Sequence, residues 1–193
     1  MKKIIAILLV VLVAGAVFGA YTPAAAPAST AVDIITSNNG VLEHSISTAA
    51  AGTKALFPGT AVPEAGVPVN IALTEAQSVA WYNVKTNTKK AVTVKVNATP
   101  LATAIDESTN YYIPYTLKVG SDSQAFSSAT AGSTAQTFTE IDLTTTATDL
   151  NDKSKGMRYL SKQIQVQFAQ DYSQDALEGD YTATITFEIT ATT

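Results

Sequence analysis

Apolar and polar side chains alternate strictly in Tyr181-Thr182-Ala183-Thr184-Ile185-Thr186-Phe187-Glu188-Ile189-Thr190. A period of two places the apolar set on one face of a β-strand and the polar set on the other face. The segment therefore predicts an antiparallel strand with one buried face and one face in solvent.

The same period recurs upstream, so the chain predicts several such strands. Alternation is clear at 67–73, 92–96, 111–119 and 164–168, and weaker at 32–35, 41–47, 79–85 and 137–143. Pro114 has no N–H for a ladder, so its strand is expected to be an edge or to break there, with Pro114 facing outward. Helix is expected only at 148–155 and 173–177, for a turn or two.

About eight short strands with turn-rich spacers favour an all-β fold, an antiparallel β-sandwich. The 28 threonines agree with this expectation, because threonine is stiff at χ1 and suits a pleated, half-exposed surface. The sequence Leu177-Glu178-Gly179-Asp180-Tyr181 adds a more specific signal. Gly179 permits a tight bend, and Tyr181 then opens the last strand, as in the tyrosine corner of immunoglobulin-like sandwiches. We expect the Tyr181 hydroxyl to bond to upstream backbone.

The composition of the chain excludes several classes of function. The chain has 193 residues, a formal net charge of −4, no cysteine and one histidine. An acidic chain without a basic cluster is a poor binder of nucleic acid, and the lack of cysteine excludes thiol nucleophiles and zinc–thiolate sites. His44 is expected to be structural or exposed. We therefore expect no enzyme activity, no catalytic residue, no cofactor and no metal, with calcium at the acidic residues of 171–180 left as an open alternative.

The first 20 residues have the pattern of a secretory signal peptide. Lys2 and Lys3 precede a 14-residue apolar run, 4–17, which small residues close at Gly19 and Ala20. Such a run is short for a helix that crosses a bilayer. We expect cleavage, export to the cell surface or the medium, and no transmembrane segment in the mature chain; an uncleaved anchor is the alternative.

An extended N-terminal arm is expected after the leader. Residues 21–30 are rich in alanine and contain Pro23 and Pro27, a composition typical of a linker. The β-sandwich domain is then expected at 31–193. Its first residues, 31–37, contain the β-prone apolar side chains Val32, Ile34 and Ile35.

Aromatic residues suggest a second hypothesis for the function, ligand binding. Trp81 and Tyr82 are adjacent, so one ring should face inward and the other outward. Trp81 is expected to be the core tryptophan; the alternative is that Trp81, Tyr111 and Tyr112 stack on a ligand. Asp106 and Glu107 lie near these tyrosines, so a secreted hydrolase with two carboxylates is a third, less favoured hypothesis.

Three stretches, 87–101, 112–119 and 177–189, resemble the major subunits of fimbriae, specifically pilins of the colonisation-factor type. The resemblance implies an incomplete β-sandwich whose missing strand is supplied by the N-terminal segment of the next subunit. It places the donor strand at 29–37, with Val32, Ile34 and Ile35 entering pockets and Asp33 outside. It also implies a homopolymer and a possible secretion chaperone.

The sequence therefore favours a secreted structural subunit of a bacterial surface filament or cell-surface assembly. The alternative is a secreted adhesin or carbohydrate-binding β-sandwich that recognises a host or surface ligand. The two differ in what they require. A filament subunit needs an open groove and a donor strand, whereas an adhesin needs a contiguous aromatic platform.

The leader generates a prediction about the mature chain. N-terminal sequencing of exported protein should find Ala20 or Tyr21 as the first residue, with no lipid attached, because small residues close the apolar run and no cysteine is present. Exported protein that retains Met1 would contradict the cleavage.

Overall fold

The computed structural model describes residues 40–143, 148–152 and 154–192, and these residues are mostly β-strand. The described part contains ten strands and one short 3-10 turn, and no α-helix. The elements are β1 (Leu42–Ser47), β2 (Gln77–Thr86), β3 (Ala91–Ala98), β4 (Leu101–Ala104), β5 (Asn110–Ile113), β6 (Thr116–Val119), β7 (Asp122–Ala125), β8 (Ile141–Asp142), η1 (Thr148–Asn151), β9 (Arg158–Gln167) and β10 (Ile185–Thr192).

The strands form three sheets, and every strand pairing is antiparallel. The five-stranded sheet has the order β1-β2-β9-β6-β7, the three-stranded sheet has the order β10-β3-β8, and β4 pairs with β5. This confirms the prediction of an all-β fold with antiparallel strands. No helix within residues 40–143, 148–152 and 154–192 is long and apolar enough to cross a membrane.

Alternation locates the buried face correctly in β3 and in β10. The three alternate valines of β3, Val92, Val94 and Val96, are fully buried. In β10, Phe187 is buried opposite Val96, and Thr186 and Glu188 are exposed. Both strands turn their apolar side chains to the same core, as their period of two requires.

A pair of stacked rings joins the two larger sheets. Tyr82 of β2 is fully buried and stacks on Phe187 of β10, with ring centroids 4.1 Å apart and an interplanar angle of 12°. Burial also raises the pKa of the Tyr82 hydroxyl. The expectation that Trp81 is the core ring was wrong: Trp81 is only half-buried and faces the other side of β2.

The chain changes sheets at Pro114. The predicted strand 111–119 is two strands, β5 in the two-stranded sheet and β6 in the five-stranded sheet, with Pro114 between them. The predicted break is therefore confirmed. The expected outward direction of Pro114 was wrong, because Pro114 is buried beside the core residues Ile113 and Tyr115 at this crossing.

The prediction of a strand at 67–73 was also wrong. Local side-chain bonds hold this segment in an irregular path: Asn70 Oδ1 accepts from the Ala72 amide at 3.0 Å, and Gln77 Oε1 accepts from the Asn70 amide at 2.7 Å. Such Asx-type bonds compete with a ladder. The two short strands β4 and β7 had no signal in the sequence. Of the predicted helices, 148–155 is reduced to η1, and 173–177 is reduced to a single turn after Tyr172.

A buried polar network fixes the loop 48–60 on the sheet. Asn83 is fully buried; its Oδ1 accepts from the Ala51 amide at 2.9 Å and from Ser161 Oγ at 2.7 Å, and its Nδ2 donates to Ser47 Oγ at 2.7 Å. Gly59, at φ +86°, lies so close to Ser47 that an added Cβ would be 2.7 Å from the serine side chain. The end of β1 is thereby held rigidly.

The stacked rings generate a stability prediction. Phe187→Ala should lower the free energy of unfolding by about 3 kcal/mol or more, because it removes a buried ring and leaves a cavity between the sheets. Glu188→Ala is the matched control, since its side chain is exposed on the same strand and should change stability by less than ~0.5 kcal/mol. Urea unfolding of both variants gives the comparison; equal midpoints would show that the stacking does not hold the sheets together.

Candidate functional site: an apolar groove

The described part of the chain contains an apolar groove of about 750 Å³. One wall is the five-stranded sheet, through Ile46, Val79, Ala80, Ile164 and Val166. A second wall is the segment that leads into β10, through Gly179, Asp180, Tyr181, Thr182, Ala183, Ile185 and Phe187. The loop between β1 and β2 adds Val62, Ala65, Gly66, Val67, Pro68, Val69 and Ile71, and Leu101 and Tyr115 complete the lining.

A bulge in β2 widens the apolar wall. The ladder between β2 and β9 shifts register between Ser78 and Ala80. An extra residue in one strand breaks the strict alternation of faces. The neighbouring residues Val79 and Ala80 therefore both line the groove, which regular alternation would forbid.

Two sheet edges contribute to the groove. In the described part, β1 is the first strand of the five-stranded sheet and β10 the first of the three-stranded sheet. Edge strands present backbone N–H and C=O groups that have no partner strand. Ile46 of β1 and Ile185 of β10 both line the groove. An extended peptide in the groove would therefore lie beside apolar side chains and two edge strands, of which β1 is already bridged to Ala61 through Ser47.

The predicted corner residues lie in the wall of this groove. The Tyr181 hydroxyl donates to the Leu177 carbonyl at 3.0 Å, which is the upstream backbone contact expected from the sequence. Gly179 has φ +153°, and a Cβ there would lie 2.7 Å from Thr103 Oγ1, so the bend requires glycine. Partial burial raises the pKa of the Tyr181 hydroxyl, and the nearby Tyr111 raises it further.

The three aromatic residues proposed for ligand stacking do not form one platform. Trp81 faces outward from the five-stranded sheet, whereas Tyr111 packs against the core and meets Tyr181 edge to face at 6.4 Å. The Tyr111 hydroxyl is also engaged, since it donates to the Asp175 carbonyl at 2.8 Å. Tyr112 pairs through its backbone with Gly132. Trp81 and the two tyrosines therefore belong to different sheets.

Few of the described residues that line the groove have polar side chains, and His44 and Asp171 lie outside its lining. Among the residues that line it, Asp180 alone is charged. His44 contacts the Tyr82 hydroxyl at 3.2 Å through Nδ1. Asp171 accepts from the Ser173 amide at 2.8 Å, and the serine holds the pKa of this carboxyl below its usual range. Within the described residues, no group of three or more His, Asp or Glu could hold a metal ion.

The donor candidates Val32, Ile34 and Ile35 lie outside the described residues, as do the predicted leader 1–20 and arm 21–30. Sequence reasoning missed the groove itself. Its lining residues come from at least four separate segments, and residues such as Ile164 have the same alternation as core residues. The one available signal was the apolar alternation at 67–73, which the fold does not use for a strand.

A scan against models of protein families and a search of curated proteins both found no match to this chain.

The corner generates a second stability prediction. Tyr181→Phe should lower the free energy of unfolding by about 0.5–1 kcal/mol, because it removes one hydrogen bond to backbone. Tyr112→Phe is the matched control, since within the described part the Tyr112 hydroxyl makes no hydrogen bond. Thermal and urea melts of both variants measure the difference; if Tyr181→Phe melts with the wild type, the hydroxyl does not stabilise the bend.

Proposed function

We propose that the protein is a secreted structural subunit of a bacterial surface filament or cell-surface assembly, and that subunits polymerise by donating a β-strand. In this proposal, the two larger sheets form an immunoglobulin-like sandwich that lacks one strand. The observation that carries it is the open apolar groove, lined by residues of two sheet-edge strands.

A β-strand suits this groove better than a globular partner does. The alternate side chains of a strand enter pockets, while its backbone completes a ladder with an edge strand. Each aliphatic side chain that leaves water contributes roughly 1.5–3 kcal/mol. In the segment 29–37, Val32 and Ile34 are alternate aliphatic side chains, and the adjacent Ile35 would enter the same groove only at an irregularity of the strand.

The position of Gly40 favours donation to a second subunit. Gly40 lies beside Thr88, and the next residue, Val41, accepts from Thr86 Oγ1 at 2.8 Å. From there β1 runs about 13 Å from Leu42 to Ile46 before it reaches the groove. The preceding segment thus joins the fold at the opposite end of β1 from the groove. Donation from one end to the other end of a neighbour does not close on itself, so it propagates a fibre.

The proposed subunit would need export from the cell and protection of its groove before assembly. A leader of the signal-peptide type would deliver the chain to the envelope or the cell surface. An unfilled groove with exposed strand edges would aggregate during transit. A secretion chaperone that covers the groove before assembly is therefore part of the proposal.

Substitutions in the groove wall and in the donor segment test whether a strand fills the groove. Ala183→Asp should raise the protein concentration needed for filaments at least about tenfold, equivalent to about 1.4 kcal/mol per subunit, because it puts a carboxylate on the apolar wall. Ala183 is exposed, so the fold should survive. Ile34→Asp should have a similar effect from the donor side. Electron microscopy and sedimentation of the mature protein provide the measurement.

Thr186→Asp is the matched control for the wall, because Thr186 is exposed three residues further on and does not line the groove. It should assemble like the wild type. If the wild type remains monomeric at all concentrations, and Ile34→Asp destabilises that monomer, the segment completes its own domain and the filament proposal is wrong. If the wild type remains monomeric but an apolar small molecule raises its melting temperature, the groove is a ligand site.

A further inference from the structure

Within the segment 61–73, residues 67–73 have the alternating sequence of a strand but not the structure of one. Val67, Val69, Ile71 and Leu73 alternate with polar or small residues, yet the segment forms no ladder. Val67 is 37% exposed and Leu73 is 47% exposed. A β-prone segment in this state leaves apolar side chains in water, which is unfavourable unless something else covers them.

This segment is anchored at both ends beside the groove. At one end, Ala61 forms a β-bridge with Ser47. At the other end, the Ile71 carbonyl accepts from the Tyr172 amide at 3.0 Å, and Asn70 is held by the Gln77 side chain. Between the anchors, Val67 and Val69 both line the groove.

The backbone between the anchors has unused hydrogen-bonding groups. The Gly66 amide donates to the Pro63 carbonyl at 3.0 Å, which closes a turn. In the described part of the chain, no hydrogen bond is made by the backbone of Val67 or Val69. Alternate residues of an extended chain direct their N–H and C=O groups to the same edge. Once 67–69 is extended, Val67 and Val69 would present four such groups on one edge, and Pro68, which lacks an N–H, would belong to the other edge.

We propose that Val67 and Val69 form the hydrogen-bonding edge that receives the strand in the groove, and that the occupant is segment 31–37 of a second copy of this chain. The inference rests on the proposed function and adds the place of backbone pairing. On binding, 67–69 becomes a β-strand, and its apolar side chains close over the occupant. The edges of β1 and β10 are the alternative pairing sites.

Amide hydrogen exchange on the mature, full-length protein tests the inference. The Val67 and Val69 amides should exchange at least about tenfold more slowly in filaments than in dilute monomer, because a new ladder protects them. The Glu64 amide is the internal control: it lies in the same segment but does not line the groove, and it should exchange at the same rate in both states. Protection of Val67 and Val69 that is already complete in dilute monomer would overturn a second copy as the occupant.

A matched pair of proline variants adds a readout by assembly. Val69→Pro removes a donor on the pairing edge and should reduce assembly at least about tenfold while the monomer melts normally. Glu64→Pro makes the same change at an exposed residue that does not line the groove, at a turn position that suits proline, and should assemble like the wild type. Filaments of wild type with unprotected Val67 and Val69, or normal assembly of Val69→Pro, would overturn the pairing edge and leave the proposed function standing. Absence of filaments from the wild type would overturn both.

Discussion

The contact between Tyr82 and Phe187 is the interaction on which the arrangement of the sheets depends. The two rings lie nearly parallel, 4.1 Å apart, and they come from different sheets. Toward one end of β2, the core continues through Val84, which is fully buried. Toward the other end it opens, because Ala80 and Phe187 both border the groove. The stacked rings thus mark the boundary between the closed core and the open groove.

An apolar groove at the edge of a core has a physical cost that the described residues do not offset. Apolar surface in contact with water favours burial, and free strand edges favour pairing. A small apolar molecule would satisfy the first tendency and leave the backbone groups unpaired. An extended peptide satisfies both. This difference is why the groove supports strand donation more strongly than it supports a binding pocket.

Much of the fold could be predicted from alternation, and the failures have physical causes. The pattern located the buried face of β3 and β10 because their side chains face one core across regular ladders. At Trp81 and Tyr82 it showed that one ring faces inward but not which one, since adjacent residues occupy both faces. The bend at Gly179 was found from sequence because a tight turn needs a particular residue. The groove was not found, because packing of distant segments creates it and no local pattern encodes it.

At 67–73 the sequence predicts a strand that the structure does not form. Sequences usually agree with their structure at every level, and disagreement concentrates at sites where the isolated chain is not the functional state. Here the residues that alternate like a strand border an open groove, and their backbone groups face no partner within the described part of the chain. A strand requires a neighbouring strand, and none of the described strands lies beside Val67 and Val69. An extended segment in the groove, as proposed above, would explain both the alternating sequence at 67–73 and the open groove.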